Sequence, residues 1–175
     1  MQAYATAAIS VIMTLIKQDK FMERTLIIAK PDAVQRGLVG EIISRLERKG
    51  LKLIGLKMSR LDEAMLRTHY AEHIEKSFYK GLEQFMQSSP VVLMAWEGYE
   101  CVESVRTLVG ATNPRQAAAG SIRGDLAIGA GRNLIHASDS KDTGASEVSF
   151  FFDEKELFDY EKSEYLNLYE DHERQ

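Results

Sequence analysis

Three apolar runs interleaved with stretches of helical periodicity constrain this chain more than any other feature. Thr25-Leu-Ile-Ile-Ala29 is short, apolar and closed by Lys30-Pro31-Asp32, so it reads as a buried strand that stops at a turn. Val39, Ile42, Ile43 and Leu46 then fall at i, i+3, i+4 and i+7, one apolar helical face that Gly50 is placed to end. Leu51 to Arg60 mixes apolar and basic residues in partial alternation, as a half-buried strand does. Asp62 is placed to cap a helix through roughly Ala71, and residues 81–87 have helical character before Ser88-Ser89-Pro90 breaks the chain. Val91-Val-Leu-Met-Ala-Trp96 is the most apolar run of the body and predicts a central strand. Val102, Val105 and Val109 return to helical spacing. Strands alternating with helices predict an α/β or α+β sandwich with helices covering one sheet.

The character changes at Gly110. From there to Gly131 lie five glycines, a proline and mostly small or polar residues, with Arg115, Arg123 and Asp125 among them. A loop of about 20 residues inside a compact domain is uncommon and is usually functional. This one leads into Asn133-Leu-Ile-His136, a short strand-like run ending in histidine; Ser149-Phe-Phe-Phe152 and an acidic end follow.

Charge narrows the partners. The chain of 175 residues has a net charge of −4, which argues against a nucleic-acid coat or a polybasic membrane binder. Residues 153–175 hold nine acids and three bases, so that segment contributes −6 and the remainder is +2. A single cysteine, Cys101, excludes an intrachain disulfide and points to a reducing, cytoplasmic setting. The uncharged, mostly apolar stretch Met1–Ile16 is shorter than the roughly 20 residues a membrane span needs. It also lacks the basic start of a secretory signal. Met22 offers a second start, so residues 1–21 are expected to be an extension, disordered or not native, ahead of one domain over 22–175.

Two phosphate-binding signatures are absent. No Gly-Lys dipeptide occurs, so there is no Walker loop, and Gly129-Ala-Gly131 lacks the third glycine of a dinucleotide fingerprint. His69-Tyr-Ala-Glu72-His73 matches the H-x-x-E-H spacing in which two histidines one helical turn apart bind zinc and the glutamate activates water. That zinc-hydrolase reading needs a third ligand from elsewhere. Its alternative is a pair of solvated histidines near a helix end.

The longest match is Asn133-Leu-Ile-His136-Ala-Ser138-Asp139, which resembles the N-x-x-H-[GA]-S-D signature of nucleoside diphosphate kinases. Residues 23–41, Pro90-Val-Val, Trp96-Glu-Gly, Thr112-Asn-Pro114 and Ser121-Ile-Arg-Gly-Asp125 also resemble family segments in the expected order, so the resemblance spans 23–170. It implies a ferredoxin-like α/β sandwich with a four-stranded antiparallel sheet. It implies a homo-oligomer too, most often a hexamer and in some members a tetramer.

A neutral imidazole can attack phosphorus and carry the phosphoryl group, and such transfers need positioned cations and donors. The resemblance makes His136 that nucleophile in a ping-pong exchange between nucleoside tri- and diphosphates. Glu147 would hold the other imidazole nitrogen, with Ser138 orienting Glu147. Arg106, Thr112 and Arg123 would contact phosphates, with Lys30 and Tyr70 close to the transferring group. Lys30 and Asn133 would bind the sugar, and Phe78 would stack on the base. Mg²⁺ would arrive with the nucleotide, reached by Asp139 through water. Ala137 stands where glycine is common, Ala119 and Ser77 where proline is, and Ala130 where a larger apolar residue is. A third reading, a non-catalytic oligomeric scaffold, keeps the fold without the chemistry.

Overall fold

The computed structural model describes residues 22–170; the expected extension over 1–21 lies outside the described residues. Four strands form one antiparallel sheet in the order β2-β3-β1-β4: β1 (Met22–Ala29), β2 (Lys52–Ser59), β3 (Val91–Tyr99) and β4 (Ile135–Ala137). The expected ferredoxin-like sandwich is the observed one.

Side chains alternate across a strand, and here both faces are covered. On one face Ile27, Ala29, Val92, Met94 and Trp96 pack on Ile42 and Leu46 of α2 (Val39–Arg48) and on Val102, Val105 and Val109 of α5 (Cys101–Val109). On the other, Leu26, Ile28, Leu93 and Ala95 pack on Leu66 of α3 (Glu63–His69), Met86 of α4 (Tyr79–Gln87), and Val148 and Phe151 of α7 (Lys141–Phe151). Two covered faces explain why β1 and β3 read as continuous apolar runs despite being antiparallel. Two short helices complete the body, α1 (Pro31–Gln35) and α6 (Ile122–Leu126), and α8 (Tyr165–Leu168) lies near the C-terminus.

The helix ends follow from local chemistry. Asp62 caps α3, its Oδ1 accepting from Met65 N at 2.8 Å. Gly50 follows α2 at φ +98°, a left-handed position suited to glycine, with Leu51 N bonding back to Leu46 O. Within the glycine-rich stretch, Ser121 accepts from Gly124 N and starts one helical turn, α6, which carries Arg123.

The apolar pattern of the sequence does not signal α7. α7 begins at Ser140, whose Oγ accepts from Thr143 N, and buries Gly144, Val148 and Phe151 at i, i+4 and i+7. Ser149 to Phe151 are therefore the end of a helix.

Candidate active site

Lys30, at the end of β1, and His136, in β4, line one cleft of about 1300 Å³. Tyr70, Phe78, Arg106, Thr112, Arg123, Asn133 and Asp139 line the same cleft, drawn from α3, α5, α6 and the connections between elements. Glu147 and Ser138 lie behind His136.

The imidazole is held from one side. His136 Nε2 stands 3.0 and 3.1 Å from the two carboxylate oxygens of Glu147. Facing a carboxylate, Nε2 carries the proton, and Nδ1 keeps the lone pair. Ser138 Oγ donates to Glu147 Oε2 at 2.6 Å and accepts from Leu26 N at 3.0 Å, so β1 anchors the serine that anchors the carboxylate. Burial pushes the Glu147 carboxyl up, but the bonds and charge from His136 and the Ser138 hydroxyl outweigh it and leave the group below its ordinary range.

The strand enters the site through a tight turn. Ile135 N donates to Asn133 O at 2.8 Å across Leu134, which sits at φ +68°, a rare conformation for a branched residue. Such strain costs about 1–3 kcal/mol and persists only where the surroundings impose it. Asp32 Oδ2 accepts from Leu134 N at 3.0 Å, and Lys30 N donates to Leu134 O at 2.8 Å. This turn delays β4 to Ile135, two residues later than the apolar run suggests.

The cations are built in. Lys30 is buried, its Nζ donating to Asn133 Oδ1 at 2.8 Å, while Asn133 Nδ2 donates to Thr112 O at 2.8 Å. Burial, then the neighbouring Arg123 charge, lower its pKa to about 8. Arg123 is also buried and donates to the carbonyls of Asn133, Gly110 and Ile135 at 3.3, 2.9 and 2.7 Å. It knits the loop to β4. Three of its five N–H donors are used, and two remain. Burial, then Arg106, bring it down to about 10. Arg106 and Thr112 are exposed along the wall, and Phe78 is 53% exposed. Tyr70 is buried with no hydrogen-bond partner on its hydroxyl, whose pKa burial and then Glu147 push up.

The H-x-x-E-H segment does not form the predicted zinc site. α3 ends at His69, so the two histidines do not share a helical turn. His73 turns to Lys76 Nζ at 2.9 Å, and Glu72 is exposed. Nor is His69 solvated. Its side chain is 2% exposed, with Nδ1 3.4 Å from Glu147 Oε1 and its ring edge-on to His136 at 4.6 Å. Sequence reading missed His69 as part of this site. The available signal was its place three residues after Leu66, on the buried face of a helix capped by Asp62.

Comparison with known proteins decides the family: the model of the nucleoside diphosphate kinase family matches residues 23–157. The chain belongs to the nucleoside diphosphate kinase family. A nucleoside diphosphate kinase of Carboxydothermus hydrogenoformans is 52% identical over 149 residues, covering 85% of this chain and 100% of the relative. One from Archaeoglobus fulgidus is 51% identical over 150 residues, 86% and 99% of the two chains. Among solved structures, the halophilic nucleoside diphosphate kinase of Halobacterium salinarum in complex with CDP superposes with a TM-score of 0.83 at 48% identity, covering 85% of this chain and 99% of that one. The protein is thus a nucleotide-binding phosphotransferase with the family's activity, and neither the zinc-hydrolase nor the scaffold reading finds support.

Ala137, where glycine is common, lies in β4 and does not adopt positive φ. The methyl group is therefore accommodated without backbone strain.

Proposed function

We propose that the kinase transfers the γ-phosphoryl group of a nucleoside triphosphate to a nucleoside diphosphate through His136. The observation that carries this reading is the Glu147 contact with Nε2. It leaves Nδ1 as the nitrogen with a free lone pair, on a residue that lines the cleft. Nδ1 attacks the γ-phosphorus as the bond to the β-phosphate oxygen breaks. The diphosphate leaves with the bonding electrons, and a second diphosphate reverses the step. Glu147 keeps the proton on Nε2 throughout, and Ser138 holds Glu147.

Lys30, the free donors of Arg123, Arg106 and Thr112 take phosphate oxygens, and Tyr70 stands near the transferring group. Lys30 and Asn133 take the sugar. Phe78 offers an exposed face to the base, a contact every base can make. The CDP bound to the Halobacterium salinarum enzyme supports a nucleotide ligand here. Asp139 is exposed on the cleft wall, a single hard carboxylate. That suits Mg²⁺, which keeps several waters and takes phosphate oxygens. Asp139 would hold the hydrated ion through water, and the ion would neutralise phosphate charge.

We further infer a homo-oligomer, with the hexamer favoured by the family resemblance. Leu56 and Met58 project 51% and 63% exposed from the second half of β2, at the sheet edge. The first half is covered: Phe158 N and Tyr160 Oη donate to the carbonyls of Ile54 and Leu53, and Lys162 Nζ donates to that of Leu51, just ahead of the strand. No described helix is long and apolar enough to cross a membrane. The buried free thiol of Cys101 fits a cytoplasmic setting.

The test is steady-state exchange with ATP and a second nucleoside diphosphate. Parallel double-reciprocal lines and loss of turnover in His136→Ala are expected. Intersecting lines, or turnover surviving that substitution, contradict the reading.

A further inference from the structure

We propose that His69, His136 and Glu147 form a binding site for a borderline transition-metal cation such as Zn²⁺, and that the bound ion switches off phosphoryl transfer. Among the described residues this is the one group of three side chains placed to hold a metal, each offering a ligand atom within 4.8 Å of the others. Two of the edges are already near their final length. Zinc bonds of about 2.0–2.2 Å put tetrahedral ligand atoms roughly 3.3–3.5 Å apart. His69 Nδ1 lies 3.4 Å and His136 Nε2 3.1 Å from Glu147 Oε1.

The second observation is His69 itself. Its side chain is nearly fully buried, and its Nδ1, the atom aimed into the site, faces the Glu147 carboxylate at 3.4 Å without closing a hydrogen bond. A buried imidazole in that state is costly unless something engages it. The ligands come from three separate elements, α3, β4 and α7, whose packing fixes them in advance. Tyr70 and Phe151 flank the His69 ring at 4.4 and 5.2 Å. Ser138 Oγ, at 2.6 Å from Glu147, is the outer partner that orients a ligating carboxylate. Two imidazoles and one carboxylate select zinc-like ions, whereas Mg²⁺ prefers oxygen donors, so the nucleotide's ion does not compete.

The consequence is a change of tautomer. A metal on Nε2 of neutral His136 takes that nitrogen's lone pair, so the ring proton moves to Nδ1. Nδ1–H has no lone pair to offer phosphorus. Glu147 becomes a ligand instead of the acceptor from Nε2–H. The inhibitory half of the proposal rests on His136 as phosphoryl carrier; the binding half does not.

Chelator-treated full-length enzyme without nucleotide is titrated with Co²⁺, then Zn²⁺. One ion per chain is expected, with the intense visible absorption of tetrahedral Co²⁺, bleached by Zn²⁺. His69→Asn and Glu147→Gln should each weaken binding at least tenfold, whereas His73→Gln should not. Absence of a stoichiometric ion on the wild type overturns the site. So does binding that survives His69→Asn but is lost in His73→Gln. At buffered free zinc, labelling of the enzyme by γ-labelled Mg-ATP should slow and recover with chelator. Zinc that binds without slowing labelling overturns the inhibition. If zinc-free wild type does not label at all, the phosphoryl-carrier reading falls and the binding result stands.

Discussion

Lys30 shows how burial sets the charge of one side chain in the cleft. Its ammonium is buried beside Arg123, two cations held together with a pKa near 8 on the lysine. Terminal phosphates, with a pKa of about 6, are ionised almost completely above about pH 8, so a titration in that range belongs to the enzyme. On the proposed function the charged lysine binds phosphate, and the free enzyme loses that charge as pH rises through about 8. KM for the nucleotide should therefore climb between pH 8 and 9.5, by up to about tenfold per pH unit. Lys30→Gln should have a raised KM that stays flat over the same range, and initial rates across pH measure both. The stability effect has the opposite sign. A folded pKa below that of the unfolded chain makes the nucleotide-free protein gain stability as pH rises from about 8 towards 10.5.

At the scale of elements, the site depends on how closely α7 lies on β1. A methyl group at Gly144 would collide with the Arg24 carbonyl, so only glycine allows the helix its position. Glu147 follows three residues later, nearly one turn along. Gly144→Ala should cost about 1–3 kcal/mol, the usual range for overpacking, and should lower kcat by moving Glu147. Urea unfolding and turnover read the two effects; unchanged values in both would contradict this account of α7. The elements differed in how far the sequence revealed them. β1, α2 and β3 were legible because each fills one face or both faces of the sheet with large apolar side chains. α7 was not, since its buried stripe begins with glycine and its outer face is serine-rich. The place of β4 was blurred by the strained turn at Leu134, which no apolar pattern signals. That His136, Lys30, Arg106 and Arg123 share one cleft was legible through the family resemblance, which joins segments far apart in the chain. His69 was not, because its role comes from a fold that brings α3 to α7.

Among the described residues the molecule is built on one sheet with two apolar faces, and charge is unevenly divided along the chain. The net −4 comes from the acidic C-terminal segment, while the body is slightly basic and carries the Lys30, Arg106 and Arg123 cluster that suits a polyphosphate. That segment also covers the first half of the β2 edge, leaving Leu56 and Met58 as the exposed apolar remainder. An uncovered apolar edge invites association. Leu56→Lys combined with Met58→Glu should shift the assembly towards smaller species while far-ultraviolet circular dichroism stays unchanged. Sedimentation velocity distinguishes this from an assembly that does not use β2, which would sediment as wild type.

On the proposed mechanism Nδ1 of His136 carries the phosphoryl group because Glu147 occupies Nε2. Protein phosphorylated with ATP and labelled with ¹⁵N-histidine allows the phosphorus–nitrogen coupling to name the bonded atom. An acid-labile, base-stable phosphoryl group on Nδ1 of His136, absent from His136→Ala, is the expected result. A phosphoryl group on Nε2, or on any other residue, would contradict it.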